Sequence, residues 1–335
     1  DVEKAMGSFR AVPYDTFTPL NDSVAATFHD AGHILGSAMI ELTVRHNGGA
    51  RTLIFSGDIG EWDKPIIRDP SLFDRADYVV MESTYGNRDH EGLQSVDDQL
   101  CDAVNETVRR GGNIIIPTFA IERAQELMYH FGRLFRDNRI PHLLVFLDSP
   151  MAVDVTAVFR RHRECMDDEM LKLLETGPVM DRFPNLKLVR ETSESKAINQ
   201  IKGSCIIMAG SGMCNAGRIK HHLANNVSRK ESTILFCGYQ AIGTLGRQLL
   251  DGMKTVRIHG VQRKVKAKVA QVQGLSGHAG RASLCRWVDH FQTPPPRLFI
   301  THGEEDASMQ LAELIRSKHG WNVDVPHYLD ECALE

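Results

Sequence analysis

The chain offers no membrane crossing, since a run of about 18 apolar residues occurs nowhere in it. Its first residues, Asp1-Val2-Glu3-Lys4-Ala5-Met6, lack the apolar core of a secretory signal. Charge of one sign is equally missing: 39 Lys plus Arg face 43 Asp plus Glu, for a net charge of −4. That balance excludes a protein coated in basic surface but leaves room for a local basic groove. The seven cysteines, odd in number and without a CxxC pair, resemble neither a disulfide framework nor a Cys-based zinc ribbon. A reducing cytoplasm is the natural location for thiols used as small core residues. Internal repeats and low-complexity linkers are absent, and no Gly-Lys-Ser/Thr phosphate loop points to nucleotide hydrolysis. What remains is an ordinary globular composition, 42% hydrophobic and 24% charged over 335 residues, enough for one large domain or two ordinary ones.

The pattern along the chain changes twice. Residues 24–28, 38–44, 51–55 and 77–81 are short apolar or alternating runs bounded by Gly, Asn or Asp, the marks of strands in tight turns. From Ser95 to about residue 250, helical periodicity alternates with apolar runs: helices near 95–110, 121–135, 219–226 and 244–250, and strands near 113–117, 142–147, 204–208 and 233–236. This rhythm predicts a mostly parallel sheet with helices on both faces. After Lys254 the pattern returns to strand, with Lys264, Lys266 and Lys268 alternating against Val265, Ala267 and Val269, then helix 282–291, strand 297–300 and helix 308–318. One α/β unit, residues 96–255, is expected between two pieces of another, 1–95 and 256–335.

Five turns place an ionisable side chain at the end of an apolar run, where α/β folds tend to build their sites. They hold His33 (Asp-Ala-Gly-His-Ile-Leu-Gly-Ser), Asp58 (Phe-Ser-Gly-Asp-Ile-Gly), Glu82 (Val-Met-Glu-Ser-Thr-Tyr-Gly), His278 (Leu-Ser-Gly-His-Ala-Gly) and His302 (Ile-Thr-His-Gly-Glu-Glu). Two or three imidazoles with a carboxylate suit Zn²⁺ with a position left for water. Singly, a His or Asp in a glycine turn is more often a cap or turn residue, and the long spacing does not by itself show convergence.

The order and wording of these motifs resemble the β-CASP branch of the metallo-β-lactamase superfamily, specifically its RNA-processing ribonucleases. Gly32-His33-Ile34-Leu35-Gly36-Ser37-Ala38 and Ser56-Gly57-Asp58 resemble two superfamily motifs. Glu82-Ser83-Thr84-Tyr85-Gly86, Ser276-Gly277-His278-Ala279 and His302-Gly303-Glu304 resemble the three β-CASP motifs. The resemblance covers essentially the whole chain, and it implies an incomplete metallo-β-lactamase αββα sandwich carrying an inserted parallel-sheet β-CASP domain. It implies that His33, Asp58 and His302 are ligands of two Zn²⁺ ions, with Asp58 bridging, and that Glu82 orients His278 as a catalytic acid. The implied activity is hydrolysis of RNA phosphodiester bonds by a metal-activated hydroxide in a cleft between domains, endo- or exonucleolytic. DNA-processing relatives usually carry Val at the position of His302, which favours RNA. Leu275 and Ser276 depart from the aromatic and Ala common beside this Ser in relatives, a change of packing next to His278.

The family's HxHxDH motif, which supplies most zinc ligands, is absent upstream of His33, where His29 is the nearest candidate. The chain is therefore expected to be an N-terminally truncated fragment with impaired zinc binding, the other reading being natural loss of the motif in a non-catalytic RNA-binding or scaffold homologue. Small-substrate hydrolysis of lactams or thioesters is disfavoured by the inserted domain. For single-stranded RNA, the candidate contacts are Ser211, Gly212, Arg218 and Lys220, in a Gly-Ser turn and the helix start it leads into, which present N–H groups and a guanidinium to phosphate, with Ser149 of the Asp-Ser-Pro-Met turn a weaker candidate. Tyr85 and Tyr239 are candidates for base stacking, with core packing an equal alternative. The lysines 264, 266 and 268, with Arg257, His259 and Arg263 nearby, read first as a solvated strand edge. No membrane partner is expected, and a homodimer is left open.

Overall fold

The computed structural model describes residues 1–46, 48–90, 95–176 and 183–334. They divide into two compact units, Asp1–Asp89 with Gly277–Glu335, and His90–Ser276. No helix among the described residues is long and apolar enough to cross a membrane.

In the first unit, strands Val24–Asp30, Ala38–His46 and Gly49–Phe55 form an antiparallel meander. Tyr78–Glu82 then joins Gly49–Phe55 in parallel, and Arg297–Thr301 joins Tyr78–Glu82 in parallel, with Val323–Asp324 and Thr18–Pro19 at the two edges of a seven-stranded sheet. Strand pleating sends Met39, Ile54, Val79, Met81, Leu298 and Ile300 to one face. Helices Arg281–Asp289 and Glu305–His319 cover that face through Leu284, Trp287, Leu311 and Ile315. Each large side chain buried there contributes about 1.5–3 kcal/mol. The opposite face carries Phe28, Ile40, Leu42, Leu53 and Val80, all only partly buried, and Phe55, 37% exposed.

The second unit is a six-stranded, all-parallel sheet ordered Lys268–Gln271, Thr233–Phe236, Ile114–Pro117, Cys205–Ala209, Leu144–Asp148 and Leu186–Leu188. Every residue of Ile114–Pro117, Cys205–Ala209 and Thr233–Phe236 is buried, as expected for strands covered on both faces. Ile219, Leu223, Leu245 and Leu249, from helices Ile219–Asn226 and Leu245–Leu250, pack on Ile115, Ile207, Ile234 and Phe236. On the other face, helix Val96–Arg109 links Thr107 Oγ1 to Thr233 Oγ1 at 2.6 Å.

This unit extends past the expected boundary at 255. Strand Lys268–Gln271 pairs in parallel with Thr233–Phe236, and Val256, Ile258 and Ala267 join the core of the inserted sheet. Nor do the alternating lysines share one strand. Lys264 ends a hairpin formed by Thr255–Ile258 and Val261–Lys264, whereas Lys268 begins the outermost strand of the parallel sheet. The hairpin turns on His259 and Gly260, with φ of +49° and +78°, the two positive values that a tight right-twisted turn demands.

Candidate metal centre and active site

Four of the five expected turns meet at one edge of the first unit's sheet, and the strand directions explain why. Val24–Asp30, Gly49–Phe55, Tyr78–Glu82 and Arg297–Thr301 all end at that edge, since each antiparallel step of the meander reverses direction and each parallel step keeps it. His33 lies in the turn after the first of these strands, Asp58 beyond the second, Glu82 ends the third, and His302 follows the fourth in left-handed conformation, φ +52°. His278 arrives from the segment ahead of helix Arg281–Asp289. It is pinned by a bridge between Gly60 and His278 and by the Ala279 amide donating to the Ile59 carbonyl at 2.8 Å.

Asp58 stands between two imidazoles. Its Oδ2 is 3.6 Å from His33 Nε2 and its Oδ1 is 3.3 Å from His302 Nδ1. The ring of His278 lies 4.4 Å from that of His33 and 6.1 Å from that of His302, centroid to centroid. One ligand atom each from His33, Asp58 and His278 falls within 4.8 Å of the others, the one such metal-competent cluster among the described residues. His302, its side chain 62% exposed, stands outside that cluster on the far oxygen of Asp58. The donor set of imidazole nitrogens and one carboxylate fits zinc. A second observation supports this fit: His33 Nδ1 is buried without a well-aligned hydrogen-bond partner, leaving Nε2 toward Asp58.

Glu82, only 2% exposed, accepts from the Ile59 amide at 2.6 Å through Oε1 and from the Thr84 amide at 3.2 Å through Oε2. His278 Nδ1 lies 3.1 and 3.2 Å from its two oxygens. Burial alone would raise the Glu82 pKa, but the hydrogen bond and charge of His278, with the Thr84 side chain and the Ile59 amide, hold it below its ordinary value. An ionised carboxylate only accepts, so His278 donates from Nδ1 and keeps Nε2 available. Burial lowers the His278 pKa, and Glu82 and Asp58 more than restore it, so the net shift is upward. His33 moves the other way, lowered by burial and then by His278, with the Gly277 backbone, Asp58 and Glu82 pulling weakly upward.

Close approach depends on glycine at two positions. A Cβ on Gly60 would lie 1.7 Å from the Gly32 carbonyl oxygen, and one on Gly277 would lie 2.9 Å from His33 Cε1. Sequence reasoning passed over Glu61, whose Oε2 accepts from the Gly280 amide at 2.9 Å and whose Oε1 accepts from Ser283 Oγ, clamping the turn that carries His278. Its place three residues after Asp58 was the available signal. His29 stays outside the site, held between Asp15 at 2.7 Å and Glu41 at 2.9 Å.

The candidate RNA contacts lie in the second unit, and the structure brings only some of them together. Ser149 and Ser211 follow neighbouring strands at the same sheet edge. Ser149 Oγ caps helix Pro150–Arg161 by accepting from the Ala152 amide, and Ser211 Oγ bonds within its own turn to Ala216. Gly212 is buried against the Phe119 ring, with its carbonyl accepting from Gln240 at 2.9 Å. Arg218, expected as a free fork for phosphate, is instead committed. One amino group bonds Asp148 at 2.7 Å and the other the Arg190 carbonyl at 2.6 Å, because fully buried Asp148 requires a counter-charge. Lys220 stands apart, on the outer side of helix Ile219–Asn226.

Comparison with known proteins settles the family. A Beta-Casp domain model matches residues 124–249, and a model described as a Zn-dependent metallo-hydrolase RNA specificity domain matches residues 262–326. Ribonuclease TTHA0252 of Thermus thermophilus is 36% identical over 315 residues, which cover 94% of this chain and 70% of that protein. The chain belongs to the β-CASP ribonuclease family. Other relatives are the transcription termination factor FttA of Methanosarcina mazei, 32% identical over 327 residues, and an RNase J-like protein of Methanocaldococcus jannaschii, 29% identical over 318 residues. The chain covers 51% of that FttA and 72% of the RNase J-like protein. Membership implies a metallo-β-lactamase fold with an inserted domain, the Beta-Casp match falls within the second unit, and the matched zinc-dependent model agrees with the donor chemistry at Asp58.

Proposed function

We propose that this chain carries the catalytic edge of a zinc-dependent ribonuclease that hydrolyses phosphodiester bonds of single-stranded RNA. The observation that carries the reading is Asp58, whose two oxygens each face a different imidazole, His33 and His302, while His278 stands beside them locked to Glu82. His33, Asp58 and His302 would hold the metal, and a carboxylate shared between two imidazoles supports two ions. Zinc bound there lowers the pKa of water and polarises a phosphoryl oxygen. Glu82, kept ionised by its three donors, fixes His278 with Nδ1–H inward and Nε2 outward. This supports His278 as the proton donor for the departing ribose oxygen, because the net pull of the carboxylates favours its protonated form. Tyr85, with the Arg88 guanidinium 5.0 Å over its ring, borders His278 at 6.4 Å and offers an aromatic edge to a base.

The test is metal content and RNA cleavage in parallel. His302→Ala is expected to lose one zinc and nearly all cleavage of single-stranded RNA, and retained activity refutes the ligand assignment. His278→Ala is expected to keep its zinc and cleave slowly. Zinc loss in that variant, read by elemental analysis, would make His278 a ligand rather than the acid. An unmutated protein that binds RNA without cleaving it would be the scaffold homologue.

A further inference from the structure

Residues 195–230 and 252–288 contain no Asp or Glu, in a chain where acids outnumber lysines and arginines 43 to 39. The fold lays parts of these two stretches side by side. The amides of Lys266 and Ala267 donate to the Val227 carbonyl at 2.8 and 3.0 Å, and Ser228 Oγ donates to the Lys264 carbonyl at 2.7 Å. The hairpin of Thr255–Ile258 and Val261–Lys264 thereby lies along helix Ile219–Asn226. Across that junction the rings of His221 and His259 approach to 4.4 Å at 31°, both side chains at the surface. Desolvation lowers the His259 pKa, and the neighbouring His221 imidazole and the cationic Lys220 and Arg263 lower it further. Arg263 Nε is buried without a hydrogen-bond partner.

Cations gathered without counter-charge repel one another, and a bound anion relieves that repulsion. The neighbouring surface shows the alternative, since Lys268 is neutralised by Glu106 at 2.5 Å. Among the described residues no carboxylate forms an ion pair with Lys220, Arg263, Lys264 or Lys266. The solvated-edge reading therefore fits Lys268, on the outermost strand, and leaves the others unexplained.

We propose that helix Ile219–Asn226 and the adjoining residues 259–266 form a docking surface for the phosphate backbone of single-stranded RNA, with Lys220, Arg263, Lys264 and Lys266 as the phosphate contacts and His221 and His259 between them. The identity of the polyanion rests on the ribonuclease reading, whereas the surface itself rests on the packing of two acid-free stretches. Contacts of this kind hold a strand without reading its sequence and respond steeply to salt.

The experiment measures binding of a labelled single-stranded RNA by fluorescence anisotropy across a salt series, for the unmutated protein and for Arg263→Gln/Lys264→Gln/Lys266→Gln. The slope of log Kd against log salt is expected to fall by about 0.7 for each phosphate contact removed, about 2 in all. Hydrolysis of bis(p-nitrophenyl) phosphate, a substrate too small to span the surface, is expected to be unchanged. Because Arg263 is partly buried, Lys264→Gln/Lys266→Gln serves as the milder variant, with an expected fall of about 1.4. An unchanged slope in both variants overturns the proposal. So does a loss of binding to phosphatidylserine vesicles with RNA binding intact, which would make the surface a membrane contact. If the unmutated protein binds RNA with the salt slope that the variants lose, yet cleaves none, the ribonuclease reading fails and the surface stands. If it cleaves RNA and the variants bind with its slope, the surface fails and the ribonuclease reading stands.

Discussion

Replacing Asp148 by Asn tests whether Arg218 is a structural partner or a phosphate contact. The Asp148 carboxylate is fully buried and takes hydrogen bonds from Ser195 Oγ at 2.5 Å, Arg218 at 2.7 Å and His222 Nε2 at 2.6 Å. Asparagine keeps one oxygen and turns the other position into a donor, so at least one of the three donors then faces an N–H. Charge-assisted bonds contribute about 1.5–3 kcal/mol each, and opening a buried pair on one side costs about 3–5 kcal/mol. A loss near 3 kcal/mol is expected, and a unit of this size gives up about 2–4 °C per kcal/mol, hence roughly 6–12 °C in Tm. Burial pushes the Asp148 pKa up, but bonds from His222, Ser195 and Arg218 outweigh it and hold it below the ordinary value. The stabilisation is therefore present above the unfolded carboxyl pKa of about 4 and is lost only as pH falls through the lower folded value. Thermal melts at neutral pH follow the loss, and Arg218→Gln combined with Asp148→Asn should cost less than the two single losses summed. The reasoning is refuted if Asp148→Asn melts within about 2 °C of the unmutated protein, or if Arg218→Gln weakens RNA binding without lowering Tm.

Glu82→Gln should retain zinc while slowing RNA cleavage about 10- to 100-fold, the value of one charge-assisted bond to His278; zinc loss in elemental analysis would contradict this. Gly277→Ala places a methyl 2.9 Å from His33 Cε1 and 3.1 Å from Nδ1, so zinc affinity in a chelator competition should weaken by about tenfold or more. Burial pushes the Asp30 carboxyl up to about 6, with the Gly32 amide and Arg68 opposing. The folded chain therefore keeps that proton to higher pH than the unfolded chain, and this group's contribution to stability falls as pH rises from about 4 to 6. Asp30→Asn should remove that trend, so its Tm should gain on the unmutated protein across the interval.

Elements written in short periods were legible from residues alone. The alternation in 38–44 and 51–55 and the Gly-bounded apolar runs of the inserted sheet appear in the structure within two residues or so of their expected ends. Helix Pro150–Arg161 is hidden in the sequence, because Ser149-Pro150 reads as a turn when it is an N-cap followed by proline at the first helical position. The place of strand Lys268–Gln271 in the insertion is not legible locally, because its parallel pairing with Thr233–Phe236 is a long-range choice that alternating lysines do not encode. For the site, each turn was visible as an ionisable residue interrupting an apolar run, but which turns meet depends on sheet order. The pairing of Glu82 with His278 spans 196 positions, and Glu61 reaches Gly280 across 219.

That separation has a consequence during synthesis. Glu82 leaves the ribosome 196 residues ahead of His278, so at about 5–20 residues per second the acidic half of the centre waits roughly 10–40 s for the imidazole that completes it. The whole inserted sheet is translated in that interval. A nascent chain therefore holds His33, Asp58 and Glu82 without His278 or His302, so the five side chains of the proposed centre come together only after the inserted sheet has been made.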